Sequence, residues 1–401
     1  MTRITTVSLL ALLAAGPALA QGNAPVDQGE PNVPQFAPAF PEQTRAPAAE
    51  SDVTLEVERI AGGLEHPWGI AILPDAAGWL VTERPGRLRH VAPDGTVSDP
   101  IAGLPEVHAV EQGGLLDVKL GPDFANDRTI YWTYAKPMGD GLSATAAARG
   151  VLSEDLTELT QVEDIFVQEP PSPSPMHYGS RIVFDGEGHA FVTTGEHFTE
   201  EERQLAQDLG ATYGKVVRVN LDGSTPDDNP LVGQAGAVET IWSYGHRNVQ
   251  GALVSDGQIW TIEHGPAGGD ELNLIQAGAN YGWPVISYGE QYSGAPVGTG
   301  GTQAEGMEQP VYYWDPVIAP ADMIVYEGEM FGDWAGDLLI GSLTPGGLVR
   351  LELEGGRVAA EERLLEDQGR IRDVDAMPDG SLVIITDFPD GELLRVTAAN
   401  P

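Results

Sequence analysis

Between Ile241 and Pro284 the chain reads IWSYGHRNVQGALVSDGQIWTIEHGPAGGDELNLIQAGANYGWP. This stretch, too short to be a domain, holds His246-Arg247-Asn248, Gly265-Pro266 in a polar loop, the acidic pair Asp270 and Glu271, and a Tyr281-Gly-Trp-Pro corner. One short strand, Gln258 to Ile262, is predicted between them from its bulky residues of high β propensity. An arginine, carboxylates and bare backbone carbonyls at the ends of a strand are what an anionic ligand together with a hard cation would require. The same residues would also suit a hairpin whose loops are simply polar. Elsewhere, Arg370 and Arg372 lie two apart and so on one side of an extended segment, where their forked donors suit carboxylates.

The elements that must position these residues recur along the chain. A turn with Asp and Gly, then a strand of alternating bulky residues, then a second turn appears as LPDAAGWLVTERPGRL from Leu73 and GPDFANDRTIYWTYA from Gly121. It returns as FDGEGHAFVTTGE from Phe184, SDGQIWTIEHGP from Ser255, GDWAGDLLIGSL from Gly332 and MPDGSLVIITD from Met377. The spacing, roughly forty to eighty residues, is the scale of four-stranded propeller blades with loop insertions. Helical periodicity is scarce, with Glu200 to Leu209 the best candidate, and fifty glycines and thirty-one prolines fit many tight turns. The fold expected is all-β, a six-bladed β-propeller of four-stranded antiparallel blades spanning 52–401, with the run Val53 to Ile60 completing the blade that ends at Leu393 to Thr397. A sandwich or a two-barrel arrangement is the alternative.

Composition sets the compartment. The opening MTRITTVSLLALLAAGPALA reads as a secretory signal with cleavage after Ala20, which predicts a periplasmic or secreted protein. Residues 21–51, rich in Pro, Ala, Gln and Glu without periodicity, read as a disordered leader. No stretch is long enough to span a membrane as a helix. The chain has no cysteine, which excludes disulfides, zinc-thiolate sites, iron–sulfur clusters and covalently attached haem. A net charge of −39 repels nucleic acid and anionic lipid. It suits a protein handling neutral or cationic small molecules, or equally one adapted to salt.

With these features in view, the chain resembles the soluble pyrroloquinoline quinone (PQQ)-dependent sugar dehydrogenases, nearest the aldose sugar dehydrogenase branch of the soluble glucose dehydrogenase family. The resemblance covers nearly everything from Leu64 to Val396, and the motifs that carry it are, in order, GLEHPWGIAILP, EQGGLLDVKLGPDFANDRTIYWTY, MHYGSRIVFDGEGHAFVTTGE, GKVVRVNLDGSTPDDNPLV, IWSYGHRNVQG, EHGPAGGDELN, NYGWP and GRIRDVDAMPDG. The resemblance implies a six-bladed propeller that oxidises the C1 hydroxyl of an aldose to a lactone. It implies hydride transfer to PQQ, with Ca²⁺ polarising the accepting carbonyl.

Residue by residue, the resemblance implies His177 as general base, a role suited to an imidazole of ordinary pKa ~6.5. Glu196 would orient it. Arg247 and Asn248 would contact the quinone end, Arg370 and Arg372 would grip cofactor carboxylates, and Gln112 and Tyr292 would be further cofactor contacts. Gly265 and Pro266 would offer carbonyls to Ca²⁺, and Glu271 with Tyr281 would form a second Ca²⁺ site. One departure is plain: Thr344 stands where the family commonly has a lysine reaching a cofactor oxygen. A hydroxyl carries no charge, and a neutral hydrogen bond is worth about 1 kcal/mol against about 1.5–3 for a charge-assisted one. Implied partners are aldose sugars and a separate electron acceptor, and the protein would be a monomer or a homodimer. Two other functions stay open: a Ca²⁺-dependent propeller lactonase, which would want a carboxylate-rich metal cage and no arginine pairs, and a non-catalytic sugar- or protein-binding propeller.

Overall fold

A computed structural model describes residues 23–399. The chain builds six antiparallel sheets in sequence order around a common axis. Blade 1 comprises Pro67–Ile72, Trp79–Glu83 and Arg87–Val91; blade 2, Leu115–Leu120, Thr129–Gly139, Leu142–Leu152 and Leu159–Val167. Blade 3 comprises Gly179–Phe184, His189–Thr194, Lys215–Asn220 and Ile241–Tyr244; blade 4, Val249–Ser255, Gln258–Glu263, Asp270–Ile275 and Tyr312–Trp314. Blade 5 comprises Pro320–Val325, Leu338–Ser342, Leu348–Glu354 and Arg357–Leu364. Blade 6 comprises Ile371–Ala376, Leu382–Thr386 and Gly391–Ala398, and its outermost strand is Leu55–Leu64 from the start of the domain, with Val57 opposite Val396. That pairing closes the ring as the sequence predicts.

Each of the six recurring units supplies the second strand of its blade. These strands lie between neighbouring blades, so Leu338–Ser342 and Leu382–Thr386 are buried at every residue. The first strands of successive blades contact one another in a closed circle around the axis. The stretch expected to be helical forms only a 3₁₀ turn, Glu202–Gln207. Blade 1 departs from the four-stranded expectation. After Val91 the chain does turn back, and Ser98 and Ile101 donate to His90 and Leu88, but Pro100 has no N–H and the ladder stops at a single Val91–Val97 bridge.

Ring closure is reinforced on the axis by ions. The fully buried Arg181 of blade 3 meets Asp117 of blade 2 at 2.9 Å, Asp322 of blade 5 at 3.2 Å and Asp373 of blade 6 at 3.4 Å. Its Nε donates to the Gln250 carbonyl of blade 4, and Asp373 accepts the Ile70 amide of blade 1. One guanidinium therefore ties all six blades together. Burial and the neighbouring Asp373 charge push the Asp322 carboxyl well above the usual carboxylate range, against the pull of Arg181.

The N-terminal segment corrects an expectation. The signal falls outside the described residues, but 23–51 is docked on blades 4 and 5 rather than disordered. Val33 and Ala46 are buried, and the Asp315 carboxylate accepts the amides of Asn32 and Val33 at 2.8 and 2.9 Å. Ala49 donates to the Glu361 carbonyl and Glu361 to that of Pro47. The segment thus pairs with the exposed edge of Arg357–Leu364, which would otherwise leave unpaired backbone groups. Composition gave no hint because the partners lie about three hundred residues away in sequence.

Candidate active site

The chain enters the first strand of each blade, and leaves the second, on the same face of the ring. Those two positions hold nearly all the chemistry. His177 precedes Gly179–Phe184, Glu196 follows His189–Thr194, Arg247 precedes Val249–Ser255, and Gly265 follows Gln258–Glu263. Arg370 and Arg372 open blade 6, where Asp387 follows the second strand.

His177 and Glu196 form a buried pair, with Nδ1 of the imidazole 3.2 Å from Oε1 of the carboxylate. A carboxylate accepts, so Nδ1 carries the proton and Nε2 is left as the base. Burial, with the Arg247 charge, lowers the His177 pKa from its ordinary value even though Glu196 opposes this. Burial would raise the Glu196 carboxyl, but its bond to His177 and the nearby charges bring it below its ordinary value. The pair is therefore a neutral imidazole held by an ionised carboxylate at neutral pH. Glu196 also accepts the Phe198 amide, and Phe198 packs edge-on against the imidazole with ring centroids 5.1 Å apart. The backbone here is unusual: His177 has φ 47°, His197 61° and Phe198 74°, a concentration of left-handed residues of the kind found at functional sites. Gly195 permits it, because a Cβ there would collide with the His177 carbonyl oxygen.

Gln112 accepts the His177 amide at 2.8 Å, so this loop residue positions the imidazole. Asn248 accepts the Gly179 amide at 3.0 Å, fixing the same loop from blade 4. The buried Arg247 donates to the His264 carbonyl at 2.8 Å and lies 3.4 Å from the Tyr292 hydroxyl, while its own amide is held by Glu263 at 2.6 Å. Tyr292 is 68% exposed and sits at the mouth of the site.

Beside this group opens a cleft of about 140 Å³, lined among others by Trp68, Arg84, Gln112, His264, Arg370 and Arg372. Arg370 and Arg372 converge on one oxygen of Asp387 at 2.9 and 2.7 Å, and His66 reaches its other oxygen at 3.0 Å. Burial would raise the Asp387 carboxyl, yet the charge and hydrogen bonds of Arg372 hold it far below the usual carboxylate range. Leu343 lines the cleft and its carbonyl accepts from Arg370. Its neighbour Thr344 is exposed and is not part of that lining.

Gly265, Pro266, Glu271 and Tyr281 meet around a second, much smaller cavity of about 20 Å³. Asp270 builds the loop, accepting the Gly265 amide at 2.7 Å with one oxygen and the Ile318 and Ala319 amides with the other. Desolvation and the charge of Glu263 push the Glu271 carboxyl well above its ordinary range. The Tyr281 hydroxyl is fully engaged, accepting the Gln276 amide and donating to the Leu274 carbonyl. Any cation contact from Tyr281 would therefore come from its backbone oxygen, not its side chain.

Two observations test whether the residues suit the groups implied by the sequence. The Nε atoms of Arg247 and Arg372 are buried without a hydrogen-bond partner, as an arriving polyanion would require. The carbonyls of Gly265 and Pro266 accept no hydrogen bond from the described residues, and the carboxyl beside them lacks a compensating cation. Both sets fit. Sequence reasoning missed Asp387, Arg84, His264 and Trp68. The repeats did carry a signal for the first two: an acidic residue closes or directly follows the second strand in four blades, Glu83 and Glu263 as its last residue, Asp387 one residue beyond and Glu196 two beyond, with Arg84 following Glu83.

Comparison with known proteins agrees with this architecture. Residues 64–395 match the family described as Glucose / Sorbosone dehydrogenase. The chain is 43% identical over 351 residues to aldose sugar dehydrogenase YliI of Escherichia coli (strain K12), covering 86% of this chain and 94% of that protein. The crystal structure of the soluble Escherichia coli aldose sugar dehydrogenase in its apo-form superposes with a TM-score of 0.83 at 43% identity, covering 86% of this chain and all of that one. The PQQ-bound aldose sugar dehydrogenase from Streptomyces coelicolor superposes with a TM-score of 0.71 at 27% identity, covering 87% and 100% respectively. The fold, the length matched and the identity place this chain in the glucose/sorbosone dehydrogenase family, as a propeller oxidoreductase of the sugar dehydrogenase type.

Proposed function

We propose that the protein is an exported PQQ- and Ca²⁺-dependent dehydrogenase that oxidises the C1 hydroxyl of aldoses to lactones. The observation that carries this reading is one face of the ring holding both the buried His177–Glu196 pair and an arginine-lined cleft with unpartnered N–H groups. When bound, PQQ would supply the hydride acceptor and Ca²⁺ the Lewis acid that activates it. His177 takes the hydroxyl proton at Nε2, and Glu196 stabilises the imidazolium that results. Arg247, Asn248, Arg370 and Arg372 hold the cofactor, with Gln112 and Tyr292 at its margins and Thr344 a peripheral neighbour. Gly265 and Pro266 contribute carbonyls to the metal, and Glu271 with the Tyr281 backbone completes the cation pocket.

The arginines disfavour the lactonase reading, and the axial carboxylates Asp117, Asp322 and Asp373 already lie against the cations of Arg181 and Lys119. The oriented imidazole–carboxylate pair disfavours a purely binding role. Export and a periplasmic or secreted location rest on residues 1–20. Among the described residues no helix is long and apolar enough to cross a membrane. Without cysteine for covalent haem, electrons leave to a separate acceptor. The test is to add PQQ and Ca²⁺ to purified protein, then aldoses, while following the cofactor spectrum. Reduction is expected on sugar addition; bound PQQ that no aldose reduces would refute the activity.

A further inference from the structure

Of the seventeen described arginines, sixteen have a hydrogen bond, an ion pair or an aromatic ring as partner. Arg84 has none. It is half-buried, and it lines the cleft beside Trp68, Gln112, Arg370 and Arg372. In a chain with 60 acidic residues, a guanidinium with no partner of any kind is conspicuous. Burial lowers the Arg372 pKa against the pull of Asp387, and the charges of Arg370 and Arg84 add to that lowering. The cleft therefore gathers three guanidiniums, Arg84, Arg370 and Arg372, against the single carboxylate of Asp387. Like charges are costly to hold together in a partly desolvated site unless an anion joins them.

The backbone shows that Arg84 is placed there. Its amide donates to the His66 carbonyl and its carbonyl accepts from Leu115, both at 3.1 Å, so it is clamped between blades 1 and 2. Pro85 follows and restricts it to extended conformations. Gly114, at φ 144°, lets the chains approach: a Cβ there would strike the Arg84 carbonyl and come within 2.9 Å of its Cγ.

We propose that Arg84 binds a carboxylate of the cofactor, supplying from blade 1 a positive charge that no carboxylate of the protein itself neutralises. This rests on the reading of the cleft as a PQQ site. The three arginines then form one clamp around an anionic edge, with Asp387 setting the spacing of two of them and Arg84 adding the unneutralised charge.

The test titrates the apo protein with PQQ in the presence of Ca²⁺, following cofactor absorbance and fluorescence, for the parent, Arg84→Gln and Arg84→Lys. Parent protein that binds no PQQ would sink the reading of the site itself, whatever Arg84 does. With parent binding established, Arg84→Gln should weaken the dissociation constant by roughly tenfold to a hundredfold, the span of a charge-assisted hydrogen bond. Arg84→Lys should recover part of the loss, and the salt dependence of binding should be shallower in the Gln variant. The apo melting temperature should be unchanged, because the guanidinium bonds to nothing within the protein. An Arg84→Gln variant that binds PQQ with parental affinity, including one altered only in sugar KM, overturns the proposal.

Discussion

Replacing Glu196 by glutamine tests the chemistry at its most specific point. The carboxylate accepts from two donors, His177 Nδ1–H at 3.2 Å and the Phe198 amide, and its charge lies 4.0 Å from Arg247 Nε. An amide of the same shape has one accepting oxygen and one donating nitrogen. If its oxygen faces His177, its NH₂ meets the Phe198 N–H; if it flips, the imidazole must carry its proton on Nε2 and cannot act as base there. Neither arrangement retains the negative charge opposite an imidazolium. A positioned general base contributes typically 10²–10⁴-fold, and an orienting carboxylate replaced by its amide has cost about 10⁴ in the serine protease triad. The kcat of Glu196→Gln should therefore fall by about 10²–10⁴. The acidic limb of kcat/KM should move as well. Burial and Arg247 lower the His177 pKa while Glu196 raises it, so removing the carboxylate shifts the limb to still lower pH. Steady-state kinetics with a dye acceptor from pH 4 to 8 reads both effects. Near-parental turnover, or a limb moved to higher pH, would refute the assignment of His177 as a base oriented by Glu196.

Chelation should abolish aldose-driven dye reduction, and Ca²⁺ with PQQ should restore it; full turnover in metal-free protein under excess chelator would remove Gly265 and Pro266 from any metal role. Asp387→Asn should destabilise the apo protein by about 3 kcal/mol, since it strands the buried Arg372 guanidinium, and denaturant melts would show this. Asp387 has a depressed folded pKa, so its contribution is complete above the unfolded value of ~3.9 and is lost as pH falls below it. The stability gap between parent and variant should be flat from pH 5 to 8 and narrow below about pH 4. Deleting residues 21–51 should lower the melting temperature by several degrees while PQQ affinity holds, because the segment covers the edges of blades 4 and 5 and not the cleft; an unchanged melting temperature would mean that this docking contributes nothing.

Much of this protein was legible in one dimension. The repeating Asp-Gly turn and buried strand fixed six blades, because a strand sandwiched between neighbours must be apolar on both faces and its turn must reverse tightly. Closure by the run from Val53 could also be read, since a ring needs its last blade completed from the other end of the chain. Residues in strongly patterned loops, His177, Arg247, Gly265 and Arg370 among them, were visible by type and spacing. The tertiary structure decided which of them meet and in what electrical state. Burial beside Arg247 lowers the His177 pKa and so favours the neutral base, and convergence of blades 1 and 6 sets Arg84, Arg370 and Arg372 around one cleft. Asp387 and Arg84 escaped notice because their significance lies in partners held or lacking across the ring. The docking of the N-terminal segment leaves no mark on its composition for the same reason: its partners are edges contributed by residues 312–315 and 357–364. Periodicity records which face of an element is buried, whereas the pairing of charges across blades is a property of the closed ring alone.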